Sequence, residues 1–364
     1  MANNYDLTNL AVKMVCPTNK VIVDDKDLPG IYVERASKTL AELLNTSDTS
    51  VHPAFKINGN AVSRIAFGKY QGKAYGNRLY SLPGEDPANY LDHDVFVNYC
   101  RNKGRGHHEI TAAEWAFLAL LAKKNGTMPK GNNDYGKDVS ESVRVAIRTY
   151  SDNGSRTCRV ATGTGPLTWS DDGTREGVFD LNGNVWEWVT GLRLVKGELQ
   201  VIPYNDAALP TTDLSANSDA WRAVNAEATG WDNLFIVPNG TGTTTNSVKL
   251  DYVSSHWQWQ KSTITSQSDS SRSALFGSTT IAADVSAFAA LYLRSMALAP
   301  DDGAAAADYE GDYFWANNAA AERLPLRGGY WDNGATAGVF DLNLFTPRST
   351  VNSRIGGRAA YVDL

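Results

Sequence analysis

Apolar positions recur along the 364-residue chain with two spacings, and each spacing marks a different kind of element. In the N-terminal stretch, up to about residue 50, Lys20–Val23 and Gly30–Val33 read as short strands, with a short helix over Leu40–Leu44. Phe55, Ile57, Ile65, Phe67 and Tyr70 alternate as a strand pair turning at Asn58-Gly59, a dipeptide that tolerates positive φ. Helical spacing comes next. Asp86 reads as an N-cap with Pro87 at the first helical position, Leu91, Val95 and Tyr99 lie four apart, and Gly104 stands beyond the end. The second helix opens on a capping box, Thr111 with Glu114, carries Trp115, Leu118 and Ala122 on one face, and stops at Lys123-Lys124-Asn125-Gly126. Ser, Gly, Asn and Thr dominate from Asn132 to Asp172, which reads as loops around a strand at Val143–Thr149.

The last stretch, Leu326 to Leu364, interleaves two textures. Arg327, Gly328, Gly329, Trp331, Gly338, Val339, Phe340, Leu342, Leu344, Ile355, Arg358 and Ala359 form a stiff framework. Between them lie residues with no shared chemistry: Tyr330, Asp332, Asn333, Thr336, Asp341, Asn343, Phe345, Thr346, Pro347, Thr350, Asn352, Arg354 and Gly357. Over Asp341–Phe345 the aliphatic residues alternate with the odd ones, which puts the two sets on opposite faces of a strand, one anchoring and one displayed. A display face mixing aromatic, acidic, basic, hydroxyl and amide groups suits complementarity with a partner surface. The same pattern also describes an ordinary solvated C-terminal strand with its loops.

The hexapeptide Gly-Val-Phe-Asp-Leu-Asn occurs at Gly177 and again at Gly338; because the flanking residues differ, it reads as two similar turns and not as a repeat architecture. Between them, roughly Val201 to Asn318, runs a stretch rich in Thr, Ser, Asn and Ala. It still holds Trp221, Trp231, Trp257, Trp259 and an apolar segment Ile281–Leu298, so folded structure is expected there. Trp257 and Trp259 alternate as an edge strand would, and ordinary packing is the first expectation over a sugar-stacking platform. Trp169, Trp186, Trp188 and Trp331 are expected in the core, with their indole N–H groups near loop carbonyls.

Composition narrows the function classes. A 42% hydrophobic chain of this length buries a substantial core. The net charge of -6, with no Lys/Arg run, points away from nucleic acid and anionic membrane. The first twenty residues lack a basic region followed by an apolar one, so Sec export and membrane insertion are not expected. Cys16, Cys100 and Cys158 are widely spaced without a zinc pattern and are expected reduced or buried. Sequons at Asn45 and Asn239 matter only in a eukaryotic secretory pathway. There is no Gly-x-Ser-x-Gly elbow and no His-Glu-x-x-His. The pair His107-His108 before Glu109 reads as solvated surface, and Gly163-Thr-Gly165 is too short to cradle phosphate.

The segment Arg327 to Ser349 resembles the variable region of target proteins of diversity-generating retroelements. Those proteins carry a C-terminal scheme close to R-G-G-x-W-x-N-G-A-x-A-G-V-F-x-L-N-L-x-x-x-R-S. Together with His52–Lys73, the Ala112-Ala-Glu-Trp helix and Gly177–Gly191, it is similar to the formylglycine-generating-enzyme-like branch of the C-type lectin fold. The resemblance implies an α+β C-type lectin-like domain over 51–364, two helices against small antiparallel sheets with long loops. It also implies an N-terminal extension over 1–50, an insertion at about 201–318 and a variable region at 327–360. In such systems a reverse transcriptase randomises template adenines, largely at AAC codons, while other codons stay fixed.

The same resemblance implies a non-enzymatic protein that binds a protein or glycan receptor through the irregular residues named above. Its setting would be a phage tail, where trimers are common, or a prokaryotic cell surface. A lectin-like protein of fixed specificity is the alternative. The related enzymes carry redox cysteines after Arg-Gly-Gly-x-Trp, whereas this chain has no cysteine beyond Cys158, so that oxidase chemistry has no thiolate. They also bind calcium in the segment matching Asp180–Glu187. Carried over, Asp180 and Glu187 would give side-chain oxygens and Gly183 and Val185 backbone oxygens to a structural Ca²⁺. The other reading has Asp180 and Glu187 capping or salt-bridging that loop without metal.

Overall fold

Helices are few in the computed structural model, which describes residues 5–152 and 155–364: α1 (Asp6–Val15), α2 (Leu40–Leu43), α3 (His93–Arg101), α4 (Ala112–Asn125) and α5 (Ala287–Ser295). Strands gathered into small sheets make up the rest of the regular structure, so the chain is mixed α+β. Among the described residues no helix is long and apolar enough to cross a membrane.

The helix α4 forms where its caps predict. The Thr111 hydroxyl accepts the Glu114 N–H at 3.1 Å, the Glu114 carboxylate takes the Thr111 N–H at 3.0 Å, and Gly126 closes the far end at φ 68°. Its burial goes beyond one face: Trp115, Phe117 and Leu118 are all fully buried. Phe117 packs edge-on against Phe55 at 4.7 Å between ring centres, with Phe67 stacked beside it. The Trp115 indole N–H donates to the Val339 carbonyl at 2.8 Å, which ties this core helix to the C-terminal segment. Thr111 also donates to Asn205 Oδ1 at 2.6 Å. Thr111→Ala is therefore expected to cost about 1–2 kcal/mol, read as a lower urea midpoint at unchanged slope.

Elsewhere the local signals are overridden. α3 starts at His93, with the Asp92 carboxylate accepting the Val95 N–H at 2.9 Å, and not at Asp86. Tyr90, at φ 56°, interrupts any helix running on from Pro87. Asp86 instead pairs with Arg159 at 2.9 Å, and the buried face of α3 is His93, Phe96, Val97 and Cys100. Val143–Thr149 is no strand: beyond a single bridge from Arg148 to Val160 it makes only isolated backbone bonds with Gly136, Arg159 and Ala161, and Val143, Val145 and Ile147 are exposed. Asn58-Gly59 does turn a hairpin, but only Lys56–Ile57 with Asn60–Ala61. α1 carries no buried residue and was not signalled.

The N-terminal strands find a use that the sequence leaves open. Asn19–Val23 and Pro29–Ala36 extend a five-stranded sheet that continues through Arg64–Gly68 and Ala359–Tyr361 to His107–Glu109. His107, His108 and Glu109 are thus buried sheet residues, not solvated surface, and His108 Nε2 lies 2.8 Å from Glu114 Oε1.

A six-stranded sheet runs in the order Arg272–Leu275, Tyr313–Ala316, Leu342–Thr346, Leu324–Arg327, Trp186–Trp188, Ile355–Gly357. Its first two strands come from the 201–318 stretch, which is therefore woven into the sheet. Most of that stretch's other strands join Leu192–Val195 and Glu198–Val201 in a seven-stranded sheet. There Trp257 and Trp259 lie on an interior strand, not an edge, fully buried and donating to the carbonyls of Phe314 and Leu298 at 2.8 Å each. Trp169, Trp186, Trp188 and Trp331 are buried, but the Trp188 indole N–H has no partner.

Candidate functional site

The framework of the C-terminal stretch is set by Arg327. Fully buried, it donates to the Ala297 carbonyl at 2.9 Å and the Met296 carbonyl at 3.3 Å, satisfying the end of α5. Gly328 and Gly329 come next at φ 90° and 78°, and a Cβ on Gly329 would come within 2.5 Å of that of Ala337. This turn delivers Tyr330 to the edge of the sheet. Strand Leu342–Thr346 returns beside Leu324–Arg327, with Leu342 and Leu344 in the core.

On the opposite face the strand register sets Ser273, Trp315, Asn343 and Leu326 side by side across four strands. Trp315, Asn343 and Leu326 floor an open cleft of about 340 Å³. Of the residues expected to be displayed, Tyr330, Asn333, Asn343, Phe345, Thr346, Pro347, Thr350, Asn352 and Arg354 all line it. Phe345 is 37% exposed, while Asn343 is only 2% exposed and accepts from the Phe345 N–H and the Thr346 hydroxyl at 3.0 Å each. The Arg354 guanidinium lies 4.7 Å over the Tyr330 ring and donates to its hydroxyl at 2.9 Å, so the two are ordered as a pair. Thr350, Asn352 and Arg354 sit on the loop joining two strands of the sheet. Arg348 pins that loop, pairing with Glu322 at 3.0 Å and Asp94 at 2.6 Å.

The other expected display residues lie elsewhere. Asp332 is exposed outside the cleft walls, and Thr336 hydrogen-bonds the Asn333 carbonyl at 2.8 Å within a short 3-10 turn. Asp341 is fully buried: it ends the Gly338–Asp341 turn, closed by its own N–H to the Gly338 carbonyl, and so precedes the strand whose alternation would have exposed it. Gly357 pairs with Trp188 inside the sheet, where a Cβ would meet Phe96 at 2.8 Å. Neither is a display position.

Part of the cleft escaped the sequence reading. Trp186, Trp315, Leu326, Ile355 and Ser271 also line it. The signal for Trp315 was the alternation in Tyr313–Ala316, where Phe314 and Ala316 are buried while Tyr313 and Trp315 face outward. Among the described residues, the titratable ones lining the cleft are Tyr330 and Arg354. Burial raises the Tyr330 hydroxyl above its usual range. Among the described residues the cleft walls offer aromatic surface, amide and hydroxyl groups and one guanidinium, a set whose chemistry suits recognition.

Beneath it lies a buried charge cluster. Burial pushes the Asp312 carboxyl up to about 8 and the Asp341 carboxyl well above its usual range, and lowers Arg327 to about 9. Asp312 accepts the Phe340 N–H at 2.7 Å, while among the described residues no well-formed hydrogen bond reaches either Asp341 oxygen, whose charge only Arg327 and the Leu342 N–H favour.

The Asp180–Glu187 segment, adjoining the cleft through Trp186, is tied differently from the calcium expectation. Glu187 pairs with the buried Arg358 through Nη2 at 2.7 Å and Nε at 2.9 Å. The Asp180 carboxylate accepts the Gly163 N–H at 2.8 Å, and its pKa rises to about 6 through burial.

No family model and no curated protein matches the chain. Solved structures that it is similar to include PvdO from Pseudomonas aeruginosa, at 16% identity over 94% of this chain and 97% of that one with a TM-score of 0.38. Another is Treponema denticola variable protein 1, at 12% identity, 95% and 99% coverage and a TM-score of 0.35. A third is the P3c variant of the Major Tropism Determinant, at 9% identity, 94% and 72% coverage and a TM-score of 0.30.

Proposed function

We propose that this chain is a non-enzymatic receptor-binding protein with a C-type lectin-like fold of the formylglycine-generating-enzyme type, whose C-terminal cleft is diversified by a retroelement. The observation that carries the reading is the gathering of Tyr330, Asn333, Asn343, Phe345, Thr346, Pro347, Thr350, Asn352 and Arg354 around one cleft. Their backbone is held by framework residues of which only Ile355 enters it. Fixed Trp186, Trp315, Leu326 and Ile355 supply an apolar floor for any occupant, and the interspersed residues supply selectivity. The proposed setting is a phage tail tip or a prokaryotic cell surface, the partner a protein or glycan on a target cell.

Substituting Phe345 and Arg354 together by alanine is expected to weaken binding of the labelled protein to susceptible bacterial cells by about 30-fold or more. Both are exposed rim residues, so stability should change by no more than about 0.5 kcal/mol each. Undiminished cell binding, or a collapse of the melting temperature, would overturn the display role. The gene's flanking DNA tests the diversification separately. A near-copy of the codons for Arg327 to Ala360, altered chiefly at adenines and beside a reverse transcriptase gene, is expected; its absence would favour fixed specificity.

A further inference from the structure

In the Asp180–Glu187 segment the carbonyl oxygens of Asp180, Gly183 and Val185 and the Glu187 Oε1 converge on one point. A nitrogen atom occupies that point: Gln71 Nε2 lies 3.2, 3.3, 3.1 and 3.1 Å from them respectively. Gln71 is fully buried, and Asn184 Nδ2 donates to its Oε1 at 2.9 Å, which fixes the end of the amide that faces the loop.

We propose that the Gln71 carboxamide stands where one of the two readings of the sequence places a calcium ion, so that this loop is organised by an internal amide and binds no metal. Calcium needs about 6–8 oxygen ligands at roughly 2.3–2.6 Å. The separations here are those of N–H···O hydrogen bonds, and the side chain fills the space an ion would take. An ion in such a loop does two things: it gathers backbone carbonyls and it compensates a buried carboxylate. Here those tasks are divided. Gln71 gathers the carbonyls, while the Arg358 guanidinium pairs with Glu187 and also donates to the Phe179 and Asp180 carbonyls at 2.9 and 3.3 Å. The Asp180 carboxylate, expected as a ligand, is engaged by the Gly163 N–H instead. Strand Trp186–Trp188, which brings Trp186 to the cleft floor, is therefore positioned without metal.

The test uses the full chain. Wild-type protein should melt at the same temperature in EGTA and in millimolar CaCl2, and should give no heat when titrated with CaCl2. Gln71→Ala removes the donors and leaves four oxygens around a vacant point. Its melting temperature in EGTA should fall by several degrees, and CaCl2 should restore part of the loss. Stoichiometric calcium binding to wild type together with a lower melting temperature in EGTA would overturn the proposal, as would a Gln71→Ala variant that melts like wild type in EGTA. Should that variant not fold, the wild-type measurements decide alone.

Discussion

Arg358→Met is expected to destabilise the protein by about 3–5 kcal/mol, the largest loss anticipated at any single site. Arg358 and Glu187 are both fully buried. The guanidinium donates to both Glu187 oxygens, to Gly68 at 2.9 Å, and to the Phe179 and Asp180 carbonyls. Methionine fills similar volume but supplies no donor. The Glu187 carboxylate then stays in the interior with Gln71 Nε2 as its remaining partner, and the Gly68, Phe179 and Asp180 carbonyls each lose a donor, only Asp180 keeping Gln71. Arg358 also joins two sheets: it belongs to the turn between Ile355–Gly357 and Ala359–Tyr361, and its partners sit on Arg64–Gly68 and Trp186–Trp188. Adding Glu187→Met should recover part of the loss, because the unpaired charge is then gone. Urea denaturation of the two variants measures both. A loss below about 1 kcal/mol in Arg358→Met would mean that Glu187 reaches water.

The second large effect is on pH dependence. Folded Asp312 titrates near 8 against an ordinary value of 3.8, principally because it is buried, so over that interval the folded state holds a proton that the unfolded state has released. Stability from this source is complete below the unfolded value and is lost as pH rises toward 8, at about 1.4 kcal/mol per unit for one proton. Asp341, raised by burial and by the Asp312 charge, and Glu109, raised by burial with neither oxygen hydrogen-bonded among the described residues, act in the same direction. His52 and His107 oppose them. Burial lowers these to about 4 and about 3, so their contribution to stability grows with pH until the ordinary histidine value of 6.5 is passed. The expected profile therefore declines only gently while the histidines offset part of this loss, and steepens above the ordinary histidine value of 6.5, where nothing from these two residues opposes it. Asp312→Asn retains an oxygen for the Phe340 N–H while removing the titration. Its stability relative to wild type should grow by about 1.4 kcal/mol per unit between about pH 6.5 and 8. A constant difference over that window would place the proton elsewhere.

What could be read from the sequence divides by range. Thr111 with Glu114, Gly126, and Asn58-Gly59 act within a few residues of themselves, and each appears in the structure where its chemistry puts it. Asp86-Pro87 is an equally good local signal that lost, because Arg159, far along the chain, claims the Asp86 carboxylate. Val143–Thr149 has strand-forming residues but makes only one bridge and a few isolated backbone hydrogen bonds, and a segment without a continuous ladder is no strand. Most of the cleft rim was legible, because residues that break a framework pattern stand out against it. Its floor was less so: Trp315 lies in the 201–318 stretch and reaches the cleft only through pairing with Leu342–Thr346.

The sequence by itself determined the capped core helix, the Arg-Gly-Gly turn and the alternation that sends Leu342 and Leu344 inward, since each depends on backbone preferences and on neighbours two to four residues away. Only the tertiary structure decided that Asn343 opens on the cleft while Asp341 is entombed beside Asp312. It also decided that Trp315 completes the floor and that an amide from Gln71 meets carbonyls more than a hundred residues distant. Burial and convergence are set by which surfaces meet once the chain has collapsed, and no local pattern encodes that.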